Sequence, residues 1–409
     1  MKLLEVDTVN EVKQKMEDYF GDISVGYEEV EITEAMGRVA FEDVFSSYDI
    51  PDFNRSTVDG YAVVSKDTFG AGESLPAFLN MIGKVDMGET AALKVSNGNC
   101  VYVPTGGMIP EGADGMLMIE HAELIDESML AVQSPVAPGE NIIFIGDDVR
   151  RGDRILPKGR VIGSRDVGVL CAAGICRVRV SKRPRVSIIS TGDEIVDPFG
   201  PVEKGQVRDI NTYTLSAMVQ ELGGQVTGSI VVKDDYDLIR DTIDEASRHC
   251  DIVVISGGSS VGLKDNTEKV IDSFGEPGVF VHGVAVKPGK PTIIGRVRNA
   301  AVFGLPGHPV SAVIIFKVFV EHLIDRMLGK TKESYFITAV CGANIHSSPG
   351  KETYQMVELI EDEKGFTAKP IHAKSSAISQ LSKAQGVIRI PLKEEGIKRG
   401  ETVRVELFR

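Results

Sequence analysis

The sequence predicts an α/β multidomain protein: a doubly wound α/β domain, an inserted mostly β domain, a discontinuous elongated N-terminal domain and a C-terminal β-barrel. Three observations predict it. Apolar strands alternate with amphipathic helices from 181 to 330, which is the pattern of a parallel sheet covered on both faces. A Gly/Pro-rich stretch of short Val/Ile/Leu runs, 46–146, interrupts an earlier helical region. The final stretch, 331–409, is a series of short alternating runs with no helical period.

The elements follow in order. Residues 1–45 read as a helix from Val9 to Tyr19, a short strand, and a second helix over EAMGR with Thr33 as N-cap. The segment 46–146 contains KVDMG, NGNCVYVPTGG, ADGMLMIEHAEL and QSPVAPGEN, runs of strand residues bounded by turn chemistry. In 147–180, a polar entry leads to a helical run ending at Gly174, and this segment is expected to pack back on 1–45 as one discontinuous domain. From 181 the strands are VSIIS, QVTGSIVV, DIVVISGG, VFVHGVAV, TIIGRV and AVFGL. The helices are TYTLSAMVQEL, YDLIRDTIDEASRH, NTEKVIDSF and a long apolar one from Val310 to Met327. YFITAVCGANI, TYQMVEL, GVIRIPL and ETVRVELF supply the barrel. No internal repeat or low-complexity tract is present.

Bulk properties narrow the function. The 409 residues exceed a single ordinary core of roughly 100–200 residues, and 42% apolar with 25% charged residues is ordinary for a globular chain. A net charge of -14 and a pI near 5.1 repel polyanions, and no basic run overrides that field, so nucleic acid is excluded as a partner. No stretch approaches the roughly 18–20 apolar residues of a membrane span. The start, MKLLEVDTVNEVKQKM, is acidic and amphipathic rather than a leader. Cys100, Cys171, Cys176, Cys250 and Cys341 form no CxxC pair. They read as buried free thiols in a reducing compartment, with Cys171 and Cys176 as a metal pair the weaker reading, and a cytoplasmic location is expected.

In an open α/β sheet, ligands bind beyond the carboxyl ends of the strands. The residues there are TGDE (Thr191 to Glu194), KDD (Lys233 to Asp235), GGSSVGLKD (Gly257 to Asp265), KPGKP (Lys287 to Pro291) and PGHP (Pro306 to Pro309). Gly257 and Gly258 let the backbone approach an anion, and Ser259 and Ser260 add hydroxyl donors at a helix start. Lys287 and Lys290 flank a Pro-Gly turn and hold two ammonium groups for a phosphate or oxyanion. Pro306 and Pro309 bracket a turn that heads the long helix, where backbone N–H groups and the helix dipole face the crevice. Glu194, Asp234 and Asp265 repel an oxyanion and suit a divalent cation such as Mg2+ between phosphates.

Taken singly, each turn is more often ordinary turn or cap chemistry. Five of them at successive strand ends are harder to attribute to turn preference. In the inserted segment, Asp59-Gly60 is a hairpin signal and Thr105-Gly106-Gly107 an ordinary turn, so these residues stay undecided on physics alone. The histidines show no zinc spacing, and His308 reads as a helix cap.

PDFNRSTVDGYAV, PTGGMIPEGADGMLMIEH, STGDEIV, VRDINTYTL, SGGSSVGLKDNT, AVKPGKP and LPGHPVSA, in this order, resemble the molybdopterin molybdenumtransferases, the family of bacterial MoeA and the gephyrin E domain. The resemblance covers essentially the whole chain. It implies an elongated homodimer whose α/β domain is similar to the pterin-binding fold of the adenylyltransferase acting one step earlier, itself a candidate partner. The implied substrate is adenylylated molybdopterin, with molybdate as co-substrate, Mg2+ as cofactor and AMP as leaving product. The resemblance places Asp59 and Thr105 in the cleft from the second subunit, opposite Glu194, Asp234, Asp265, Lys287, Lys290, Pro306 and Pro309. Two positions depart from the family pattern: Asn266 stands where an aromatic residue is usual, and 350–357 lacks the usual arginines. A scaffold protein and a pyridine-nucleotide hydrolase are the alternatives. The absence of a long Pro/Ser-rich linker argues against the first, and the inserted DGYA segment against the second.

Overall fold

Apolar runs of Val and Ile that offer no polar face must be covered on both sides, and the sequence 185–306 builds such a sheet. The computed structural model describes residues 6–257, 261–331, 335–363, 365–371 and 378–408, excluding the side chains of 261–265. The central sheet has the order Gln225–Val232, Arg185–Thr191, Ile252–Gly257, Ala300–Pro306, Ile293–Val297, Gly278–His282. The first four strands are parallel, and the last two form an antiparallel edge. The helices Asn211–Glu221, Tyr236–His249 and Val261–Asp272 connect them. The long terminal helix runs Pro309–Ile315 and Glu321–Met327 through a π turn at Phe316–Val320.

One face of the sheet packs Ile188, Val254 and Phe303 against Leu215, Phe316 and Phe319; the other packs Ile189, Val253 and Val302 against Ile239, Ile243 and Val270. The first helix, Val9–Phe20, is capped by a reciprocal Thr8–Glu11 box and buries Val12, Met16 and Phe20 in the first of these cores, not against the N-terminal strands. Strands Tyr27–Glu31 and Arg177–Ser181 pair antiparallel and join the two halves of the discontinuous domain.

The expected second helix there is only a short 3-10 turn, Ile32–Glu34. The N–H groups of Ile32 and Gly37 bond to the carbonyls of Cys176 and Ile162 in the other half, so the backbone is held across the domain rather than along a helix. The thiols are also corrected: Cys100, Cys250 and Cys341 are buried, while Cys171 and Cys176 are exposed.

The inserted segment forms a mixed six-stranded sheet, in which Gly60–Val63 lies between Gly115–Met118 and Asn99–Val103. The C-terminal strands close a ring in the order Glu352–Asp362, Gly365–Pro370, Phe336–Cys341, Thr402–Leu407, Gly386–Ile390, with the last pairing back on the first. Closure removes the exposed edges that open sheets carry. Among the described residues, no helix is long and apolar enough to cross a membrane.

Candidate functional site

The carboxyl ends of Arg185–Thr191, Ile252–Gly257 and Ala300–Pro306 lie side by side, with Thr191 opposite Gly257 and Gly257 opposite Pro306. Beyond them opens a cavity of about 260 Å3, lined in part by Thr191, Glu194, Asn211, Ser256, Gly257 and Pro309. Of the expected residues, Glu194, Gly257 and Pro309 line it directly, and Pro306 ends its central strand. Gly257 has a local reason to be glycine, because a Cβ there would come 2.3 Å from Thr191 Oγ1. His308 occupies the N-cap position before Pro309, but its side chain makes no capping bond to the helix. Gly258, Ser259, Ser260 and the Asp265 side chain lie outside the described residues; the backbone of Asp265 is in the helix Val261–Asp272.

Asp234 follows the neighbouring strand, Gln225–Val232. Its carboxyl is pushed above the usual carboxylate range, first by burial, then by the negative charge of Asp193, with a smaller contribution from Glu194; a hydrogen bond with Thr191 opposes the shift. Its Oδ1 is buried without a hydrogen-bond partner. Three carboxylates therefore gather with no cation among the causes of the shift, and a divalent ion would relieve both the repulsion and the orphaned oxygen. Among the described residues, no three His, Cys, Asp or Glu side chains converge as a complete metal cage. Mg2+ characteristically takes one or two carboxylates and completes its shell with water and substrate phosphate, so the donor set fits that ion.

Two polar networks went unnoticed at the level of single motifs. Asp209, itself buried, accepts from Ser190 Oγ (3.1 Å) and the Thr212 N–H (3.1 Å). Asn211 Nδ2 donates to Ser256 Oγ (2.7 Å) and to the Gly307 carbonyl (2.8 Å). The signal was present in VRDINTYTL, where polar residues precede an apolar helix, but nothing in the string says which strand ends they brace.

Lys287 and Lys290 are exposed and do not line this cavity. The expected strand VFVHGVAV ends at His282 and resumes as Val286–Lys287, which pairs in parallel with Glu352 and Thr353 of the barrel. The interruption contains Gly283, held at φ 95°, and the Gly283 and Val284 N–H groups bond back to the Thr292 and Lys290 carbonyls. The two lysines thus stand at the junction of the α/β domain and the barrel.

Asp59 and Thr105 are brought together on the inserted sheet, where the Thr105 N–H donates to Asp59 Oδ1 at 2.9 Å. Both are exposed, and neither lines the rim cavity. Gly60 must be glycine, because a Cβ would fall 1.9 Å from the Leu117 carbonyl oxygen.

A larger cavity of about 540 Å3 lies between the first helix, the long terminal helix and the barrel. Its cations are largely matched: Lys317 to Glu406 (3.1 Å), Arg326 to Glu17 (3.1 Å) and Lys330 to Asp325 (3.3 Å). Volume alone does not make it the reactive site; the rim cavity has the convergent polar groups.

Residues 7–174 match the MoeA N-terminal region (domain I and II), 187–326 the probable molybdopterin binding domain, and 338–408 the MoeA C-terminal region (domain IV). A putative molybdopterin biosynthesis protein of Methanocaldococcus jannaschii is 33% identical over 97% of this chain and 96% of its own. A molybdopterin molybdenumtransferase of Haemophilus influenzae is 31% identical over 93% and 94%. Two crystal structures of the MoeA protein from Pyrococcus horikoshii superpose with TM-scores of 0.86 and 0.85 at 37% and 33% identity, covering 99% of this chain and 100% of each of those. By motif order, domain content and fold, the chain belongs to the MoeA family.

Proposed function

We propose that this chain is a transferase of molybdenum cofactor biosynthesis, a molybdopterin molybdenumtransferase that places molybdenum from molybdate on molybdopterin. The observation that carries the reading is the rim cavity, lined by Gly257, Pro309 and Glu194, with the Asp234 carboxyl close enough to feel the Glu194 charge and its Oδ1 without a partner. The substrate in this reading is the adenylylated pterin; its phosphoanhydride bond breaks and AMP leaves as the dithiolene takes the metal.

Within the chain, each group has a task. Glu194 and Asp234 would hold Mg2+ together with Asp265, and the ion would neutralise phosphate charge. Gly257, Gly258, Ser259 and Ser260 approach the phosphate through backbone N–H and hydroxyl donors. Lys287 and Lys290, at the barrel junction, neutralise the charge that develops as the anhydride breaks. Asp59 and Thr105, exposed in the single chain, complete the cleft of a second copy. Residues 1–45 with 147–180, 46–146, 181–330 and 331–409 act as the four domains of each subunit in this assembly. The upstream adenylyltransferase is the candidate supplier of the substrate.

The test is AMP release from adenylylated molybdopterin by purified protein with Mg2+, with and without micromolar molybdate, followed by reconstitution of an apo-molybdoenzyme. Molybdate-stimulated release with reconstitution is the expected result. Tight binding without turnover would replace the enzyme reading with a carrier or scaffold.

A further inference from the structure

We propose that Ser256 is a phosphate-binding residue of the rim cavity, and that Asn211 sets the direction of its hydroxyl. The inference rests on the functional reading above.

The Gly307 carbonyl oxygen can only accept a hydrogen bond. The Asn211 side-chain atom 2.8 Å away must therefore be the amide nitrogen, which settles the orientation of an amide whose two ends otherwise look alike. The same nitrogen stands 2.7 Å from Ser256 Oγ, so Ser256 accepts that bond. A serine hydroxyl has one proton, and accepting from Asn211 leaves that proton uncommitted. Among the described residues, Ser256 donates to nothing. Its residue is 3% exposed, so bulk water does not readily take the proton, and it lines the cavity beside Gly257 and Glu194. A buried donor without an acceptor is costly, and a ligand oxygen in the cavity would supply the acceptor.

The acceptor class follows from the neighbours. Gly257 admits a close backbone approach, and Asn211 already supplies a donor to Ser256. What remains is a proton offered to an anionic oxygen, the chemistry of a phosphate ester. Two phosphates of the substrate satisfy it, that of the pterin side and that of the adenylyl side.

The experiment compares Ser256→Ala and Asn211→Asp with wild type. The carboxylate introduced by Asn211→Asp would accept the Ser256 proton and withdraw it from the cavity with the serine still present, at the cost of the bond to the Gly307 carbonyl. Both variants are expected to raise KM for adenylylated molybdopterin about tenfold with kcat within about twofold, and the double variant should be no worse than either single, because one proton is lost in every case. Calorimetric titration with AMP distinguishes the two phosphates. Weaker AMP binding in both variants assigns the adenylyl phosphate, and unchanged AMP binding with raised KM assigns the pterin phosphate. Unchanged KM and unchanged AMP affinity in Ser256→Ala would overturn the proposal, as would a fall in kcat alone. If Ser256→Ala fails to fold, Asn211→Asp still reads the same proton. Absence of turnover by the wild type would count against the enzyme reading, whereas the AMP titration would still report on Ser256.

Discussion

The backbone N–H of Thr105 donates to the Asp59 carboxylate at 2.9 Å, joining two turns that are 46 residues apart in sequence. The bond caps the Thr105-Gly106-Gly107 turn and fixes the Asp59 carboxylate at the end of the strand Gly60–Val63. These residues are exposed and do not line the rim cavity of their own chain, so their contribution to chemistry should come in trans. In a homodimer, mixing Asp59→Ala with Asp234→Asn subunits should restore activity that each lacks alone, to about a quarter of wild type, since half the dimers are mixed and each has one intact site. No recovery on mixing would show that Asp59 acts within its own chain or not at all.

Asp234→Asn should abolish most turnover without harming the fold. The native carboxylate bears the cost of burying a charge and the repulsion of Asp193 and Glu194, and the neutral amide is relieved of both. A Tm raised by about 1–3 °C is expected in differential scanning calorimetry. A lowered Tm would mean that Asp234 is a structural acceptor whose charge the fold requires.

The same carboxylate predicts a pH dependence. Because its folded pKa lies above the ordinary value of 3.8, the ionised form is the disfavoured one in the fold. That cost is fully present above the raised pKa and disappears as pH falls below the unfolded value. Mg2+ competes with the proton, so apparent Mg2+ affinity should decline on acidification, starting at a higher pH than an ordinary aspartate would allow. Titration of Mg2+ from the ordinary aspartate value of 3.8 upward, monitored by AMP release and by calorimetry, checks this; a profile unchanged by Asp234→Asn would remove Asp234 from the ligand set.

In the barrel, Arg389 Nε and a terminal nitrogen donate to Glu352 at 2.7 and 2.9 Å, and the Tyr354 hydroxyl bonds to the same carboxylate. Glu352 is 6% exposed. Arg389→Ala strands that carboxylate and should cost about 2–3 kcal/mol, below the value for a fully buried pair because Arg389 is itself half exposed. Adding Glu352→Gln should recover part of the loss in a thermal melt; additive losses would show that the two side chains do not act as a pair.

Much of the fold was legible because it rests on local rules. The period of the apolar residues marked QVTGSIVV and YDLIRDTIDEASRH as a strand and a helix, and both hold as Gln225–Val232 and Tyr236–His249. Where a segment's backbone groups bond to a distant partner, the local rule failed. EAMGR has helix-forming residues, but the backbone around it bonds to 160–181. VFVHGVAV reads as one strand, but its two halves belong to different sheets.

The site divides in the same way. The residues at strand ends, Glu194, Asp234, Gly257, Pro306 and Pro309, could be named from the sequence because a doubly wound sheet always puts its crevice there. The chain by itself determined the alternation of strands and helices and the strand ends at which Glu194, Gly257 and Pro306 fall, since the period of the apolar residues suffices to set those. Only the tertiary structure decided that Asn211 reaches both Ser256 and Gly307, that Lys287 joins the barrel, and that Asp59 accepts from the Thr105 N–H. Hydrogen-bond direction and burial depend on which segments meet, and residues separated by tens to hundreds of positions meet only when the chain is folded.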